Sequence, residues 1–133
     1  MSRLEKKYSG VIVPMVTPFT KEGKIDLGAA ERITEYLLQN GTIPFVLGTT
    51  GESVSIPDEY RLEFVKTVIK TTKGRALTYA GIPSNCLNNS SILAQQYFDA
   101  GIDAVVAHLP SYYPLNGDQM LRYFESLADV CPG

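Results

Sequence analysis

Four times along this chain an apolar stretch with no polar alternation is followed by a segment of helical periodicity, and few folds accept that rhythm. The apolar stretches are "GVIVPMVTPF" (10–19), "IPFVLG" (43–48), "ALTYAGI" (76–82) and "AVVAHLP" (104–110). Runs of this kind read as strands buried on both faces. From Asp26 to Asn40 the residues Ala30, Ile33 and Leu37 recur at helical spacing, with Asp26 as N-cap and Gly41 as the stop. The segment 57–73 reads as a second helix, with Pro57 in its first turn, Leu62, Val65 and Ile69 on one face and Glu63, Lys66 and Lys70 on the other. Further helices are expected from about Asn89 to Ala100 and from about Gly117 to Val130, and Gly74 and Gly101 stand where left-handed C-terminal residues are needed. Alternating buried strands and amphipathic helices imply a parallel sheet with right-handed crossovers, in one α/β domain over 1–133.

Composition narrows the functional classes. The chain has 133 residues, and 12 Lys+Arg against 14 Asp+Glu give a net charge of −2, which offers no electrostatic reason for a nucleic-acid or anionic-membrane partner. Cys86 and Cys131 are far apart and belong to no Cys/His cluster, so neither a metal site nor a disulfide framework is expected. A reducing cytosol fits that usage. The start "MSRLEKKYSG" has no apolar core of signal-peptide length, and no stretch approaches the ~18 apolar residues of a membrane span. The expected setting is cytoplasmic.

Two architectures accept four β-α units: an open doubly wound sheet of flavodoxin type, which nearly fits this length, and a closed (β/α)8 barrel, which needs about 250 residues. The ending "ADVCPG" (128–133) falls where a fifth strand would begin and reads as an interruption. In either architecture chemistry gathers at the carboxyl ends of the strands. Those ends carry "VTPF" (16–19), "GTTGES" (48–53), "AGIPSN" (80–85) and "HLPSYYP" (108–114).

Taken singly, each loop has an ordinary reading. Pro18 ends a strand because it cannot donate to a ladder, Ser84 and Asn85 make a turn, His108 is a satisfied strand residue, and Tyr112 and Tyr113 are packing aromatics. In GTTGES the glycines would supply positive φ, and Glu52 would be a cap or structural partner rather than a catalytic acid. The loop also has a chemical reading. Successive N–H groups in a tight turn bind an anion, and hydroxyls beside them hold it or relay a proton. Neither a Walker sequence nor a dinucleotide fingerprint is present.

In order, "VIVPMVTPF", "GTTGES", "AGIPSN" and "PSYYP" resemble the dihydrodipicolinate synthase and N-acetylneuraminate lyase family, over nearly the whole chain. The resemblance implies the first four β-α units of a TIM barrel and class I aldolase chemistry. In that chemistry pyruvate forms a lysine Schiff base, itself the electron sink with no dissociable cofactor, and adds to or departs from an aldehyde or 2-keto acid. It further implies that Thr49 and Thr50 hold the substrate carboxylate and that Thr49 joins a proton relay with Tyr112. Tyr112 would reach an adjacent subunit of a dimer or tetramer. Leu109, Ser111 and His108 depart from the family pattern, which bears on substrate identity.

The family lysine lies at the end of a sixth strand and a second tyrosine, in Y-N-x-P, after a fifth; neither segment occurs here. The seven lysines present, Lys6, Lys7, Lys21, Lys24, Lys66, Lys70 and Lys73, fall in the tail, a loop or solvated helix faces. A chain of this kind is expected to be inactive alone, and its open sheet edges are expected to promote association. The alternative is an open-sheet, non-catalytic anion-binding or regulatory domain.

Overall fold

The computed structural model describes residues 6–131. Residues 1–5, on which the expectation of a start without a signal peptide rests in part, and Pro132 and Gly133 of the ending lie outside the described residues. The elements are β1 (Ile12–Pro14), α1 (Leu27–Gln39), β2 (Ile43–Val46), α2 (Asp58–Thr72), β3 (Tyr79–Gly81), α3 (Leu87–Asp99), β4 (Ala104–Val106) and α4 (Gly117–Val130), with a short 3-10 turn at Ser53–Ser55 after β2. The four strands form one parallel sheet in the order β1-β2-β3-β4, paired for example as Val13–Pro44, Phe45–Tyr79 and Ala80–Val105.

That order decides between the two architectures. A doubly wound sheet reverses its strand order at a switch point, whereas a barrel adds each strand beside the last. The sheet here never reverses, so these are the first four units of a barrel and the open flavodoxin-like alternative is overturned.

Local chemistry explains the helix starts. Asp26 accepts from the Ala29 N–H at 2.9 Å, and Asn116 and Gln119 form a reciprocal capping box at α4 with bonds of 3.0 and 2.9 Å. Pro57 is the residue before α2 rather than in its first turn, and α3 begins two residues before Asn89. Gly41, Gly74 and Gly101 follow their helices at positive φ, as expected.

The strands are shorter than the apolar runs, because apolar composition continues where the ladder has ended. Nor are β1 and β4 buried on both faces as expected, since as the two edges of the sheet they leave Ile12 40 % exposed and Ala104–Val106 half-buried. β4 ends at Val106, so His108 lies in the loop beyond it, half-buried, with Nδ1 3.0 Å from the Leu109 carbonyl. The core gathers Met15, Val46, Leu47, Ile56, Phe64, Val65, Val68, Ala80, Ile82, Ala94 and Tyr97 between the sheet and its helices. On α2 the buried stripe is Arg61, Phe64, Val65, Val68 and Thr72, and Leu62 and Ile69, expected in the core, are half-buried beside it.

Candidate active site at the strand carboxyl ends

Thr49 and Thr50 sit at the crest of the loop leaving β2, both exposed, between the buried Gly48 and Gly51. Among the described residues nothing accepts from their N–H groups and nothing bonds their hydroxyls, while the loop's own ties run beneath them: Gly51 N–H to the Gly48 carbonyl at 3.1 Å and Glu52 N–H to the Thr49 carbonyl at 3.0 Å. The crest therefore presents donors and hydroxyls outward on a fixed base, a geometry suited to a small anion.

Neither glycine supplies the positive φ that the sequence led us to expect. That conformation falls on Leu47 (φ 57°) and Glu52 (φ 53°), which bracket the loop. The glycines are required for room instead. A Cβ on Gly48 would stand 2.9 Å from the Phe45 ring, and one on Gly51 would stand 3.0 Å from the Met15 carbonyl oxygen. Glu52 is exposed and its side chain makes no capping bond to the following turn, so it does not fill the capping role expected of it.

Two anchors were missed by sequence reasoning. The buried Thr17 hydroxyl donates to the Gly51 carbonyl at 2.7 Å, so "VTPF" fastens the neighbouring loop as well as ending a strand. Arg61, only 6 % exposed, donates through Nη2 to the carbonyls of Ser53 (3.1 Å) and Ile56 (2.8 Å) and pairs through Nη1 with Asp58. The available signal was a charged residue at a core position of the α2 periodicity.

Tyr112 stands in the loop after β4 at φ 81°, a conformation costly for a tyrosine, and is 88 % exposed. Its ring meets that of Tyr113 edge-on at 4.9 Å, so the expected packing aromatics are solvent-facing. Of the four described non-glycine residues at positive φ, three (Leu47, Glu52 and Tyr112) belong to these loops, where strain commonly accompanies function. Asn85 does more than turn the chain: it reaches across to Ser111 in the tyrosine loop. A cleft of about 600 Å³ beside this contact is lined by Arg61, Asp58, Ser84, Asn85 and Ser111, and neither Thr49 nor Thr50 lines it. All seven lysines lie among the described residues, each is exposed, and none directly follows a strand.

A parallel sheet in sequential order, with polar loops at its strand carboxyl ends, defines the N-terminal part of a (β/α)8-barrel protein. The family model of the dihydrodipicolinate synthetase family matches residues 7–132, and the chain belongs to that family. It is 33% identical over 122 residues to 4-hydroxy-tetrahydrodipicolinate synthase of Bacillus subtilis, covering 91% of this chain and 42% of the relative. Among solved structures it is similar to N-acetylneuraminate lyase from Mycoplasma synoviae (TM-score 0.85, 28% identity, 94% of this chain and 44% of that one). It is likewise similar to the chloride-inhibited dihydrodipicolinate synthase from Acinetobacter baumannii complexed with pyruvate (TM-score 0.86, 27% identity, 91% and 42%). The chain thus spans well under half the length of the relatives it matches. No described helix is long and apolar enough to cross a membrane, and the described residues contain no group of three or more His, Cys, Asp or Glu that could hold a metal.

Proposed function

We propose that this chain supplies the carboxylate clamp and one relay residue of a Schiff-base aldolase acting on pyruvate and an aldehyde or 2-keto acid. The observation that carries the reading is the exposed pair Thr49 and Thr50 after β2, whose N–H and hydroxyl groups have no partner among the described residues. Their N–H groups and hydroxyls hold the pyruvate carboxylate still while protons move at the adjacent carbons, and holding the reactant in one geometry is a large part of such a rate enhancement. Tyr112 passes the proton with Thr49, and its exposure suits a side chain that projects toward a site on another copy in a homo-oligomer. The amine that attacks the pyruvate carbonyl belongs to a segment beyond these residues. A Schiff-base lysine is one whose amine is desolvated or set beside another cation, and the seven present here are all exposed, so they do not take that role. The chain by itself is inactive in this scheme, and the cytosol is its setting.

The test is a pyruvate titration of the isotopically labelled chain followed by NMR, ended by borohydride and mass measurement. Amide shifts concentrated at residues 48–51 at millimolar pyruvate, abolished in Thr50→Val, with no mass adduct, are the expected result. Shifts absent from that loop, or a trapped adduct on this chain, sink the proposal.

A further inference from the structure

We infer that Asn85 is a positioning residue that holds Tyr112 in its left-handed conformation; its functional weight rests on the reading of Tyr112 as a relay residue. The strained tyrosine needs a restraint, and packing does not supply one. Tyr112 and Tyr113 are 88 % and 74 % exposed, and their mutual edge-on contact moves with the loop. Among the described residues, every hydrogen bond reaching residues 110–115 from elsewhere comes from Asn85.

The geometry of those bonds is suited to the task. Asn85 Oδ1 accepts from the Ser111 N–H at 2.9 Å and from the Ser111 hydroxyl at 3.3 Å, while its Nδ2 donates to the Ser111 carbonyl at 3.4 Å. The side-chain amide therefore engages the donor and the acceptor of the residue just before Tyr112. The Ser111 carbonyl belongs to the peptide plane from which φ of Tyr112 is measured, so tethering that plane opposes relaxation to negative φ. Asn85 is itself anchored, because it precedes the first turn of α3, where the Ser84 hydroxyl accepts from the Cys86 N–H at 3.1 Å. Ser111 contributes a donor that an aromatic residue at this position would lack. An amide is the fitting side chain here, since it alone offers a neutral acceptor and donor at the spacing of a peptide.

The inference is tested on the labelled chain by the strong intraresidue amide-to-Hα NMR cross-peak that positive φ gives at Tyr112. Asn85→Ala should weaken that cross-peak several-fold and speed Ser111 amide exchange about tenfold, as loss of one hydrogen bond allows. Asn85→Asp keeps both acceptor contacts but sets an oxygen in place of the donor to the Ser111 carbonyl, so it should restore the slow Ser111 amide exchange while leaving the Tyr112 cross-peak weak, with melting temperatures alike in all three proteins. An unchanged cross-peak in Asn85→Ala overturns the inference. So does a uniform rise in exchange along the chain with a lowered melting temperature, which marks a merely structural residue. The measurement uses no substrate, so it fails or succeeds separately from the pyruvate titration.

Discussion

Gly81 shows how closely the backbone is fitted beneath the candidate clamp. A methyl group there would stand 2.0 Å from the Leu47 carbonyl oxygen and 2.8 Å from its carbon, and both are main-chain atoms that cannot swing aside. Leu47 is itself held at φ 57°, one residue before the loop that carries Thr49 and Thr50. Gly81→Ala should therefore cost about 3 kcal/mol, the upper end for overpacking a well-filled interior, read as a lowered urea midpoint with unchanged slope. A loss under about 0.5 kcal/mol, the range of ordinary surface substitutions, would mean that the backbone yields there. At this scale the sequence located the hydroxyls but misassigned the glycines. It could not show that Gly48, Gly51 and Gly81 answer to contacts with Phe45, Met15 and Leu47, because the last two cross between neighbouring β-α units and the first depends on how the chain turns back on leaving β2. Thr17 was hidden because its partner Gly51 lies in the next β-α unit, whereas the contacts of Arg61 are local and its signal was a charge at a core position of α2.

Between elements, the α1 and α2 ends are joined by one ion pair whose behaviour with pH can be worked out. Arg75, just past α2, donates from Nη1 and Nη2 to the two Glu35 carboxylate oxygens at 2.9 and 2.5 Å. Those bonds, with a further one from Gln39, hold the Glu35 carboxyl down from its ordinary 4.5 to about 2. A carboxyl with a lowered folded pKa adds stability at higher pH and loses it as pH falls from about 4.5 through about 2. The pair is solvent-exposed, so the effect is modest and salt-screened. Glu35→Gln should flatten the acid limb of stability across that window and change little at neutral pH in 0.5 M salt; an acid limb of unchanged steepness would contradict this. Element type and order were legible because apolar runs and helical periodicity are strong local signals. The α2 face was read one position out because Arg61 occupies a core position, so the apolar residues left to count pointed toward Leu62 and Ile69. Strand ends were overrun because apolar composition continues past the last ladder bond, as at Val16 and Phe19 beyond β1.

For the molecule as a whole, the sheet is open at both sides: among the described residues β1 pairs only with β2, and β4 only with β3. Apolar surface collects toward those edges. Val11 (64 %) and Val16 (53 %) are exposed near β1, as are Leu121 (58 %) and Phe124 (41 %) on α4, which follows β4. The barrel was legible through the order of four loop motifs, and the unreversed strand order bears it out. What covers the edges was not legible, since the chain spans only 42% of the Bacillus subtilis relative and the remaining units of a barrel are not written in it. Unpaired edges and exposed apolar side chains lower their free energy by meeting another surface. The 133-residue chain expressed by itself should therefore run in light scattering above its 14.6 kDa monomer mass. Because the driving force is apolar area, the association should persist in high salt, and Leu121→Glu with Phe124→Glu should shift the population toward monomer by placing charge where α4 would be covered. A compact monomer in the parent chain would show that the edges are tolerated in water, and an unshifted oligomer in the double variant would place the contact on the β1 side instead.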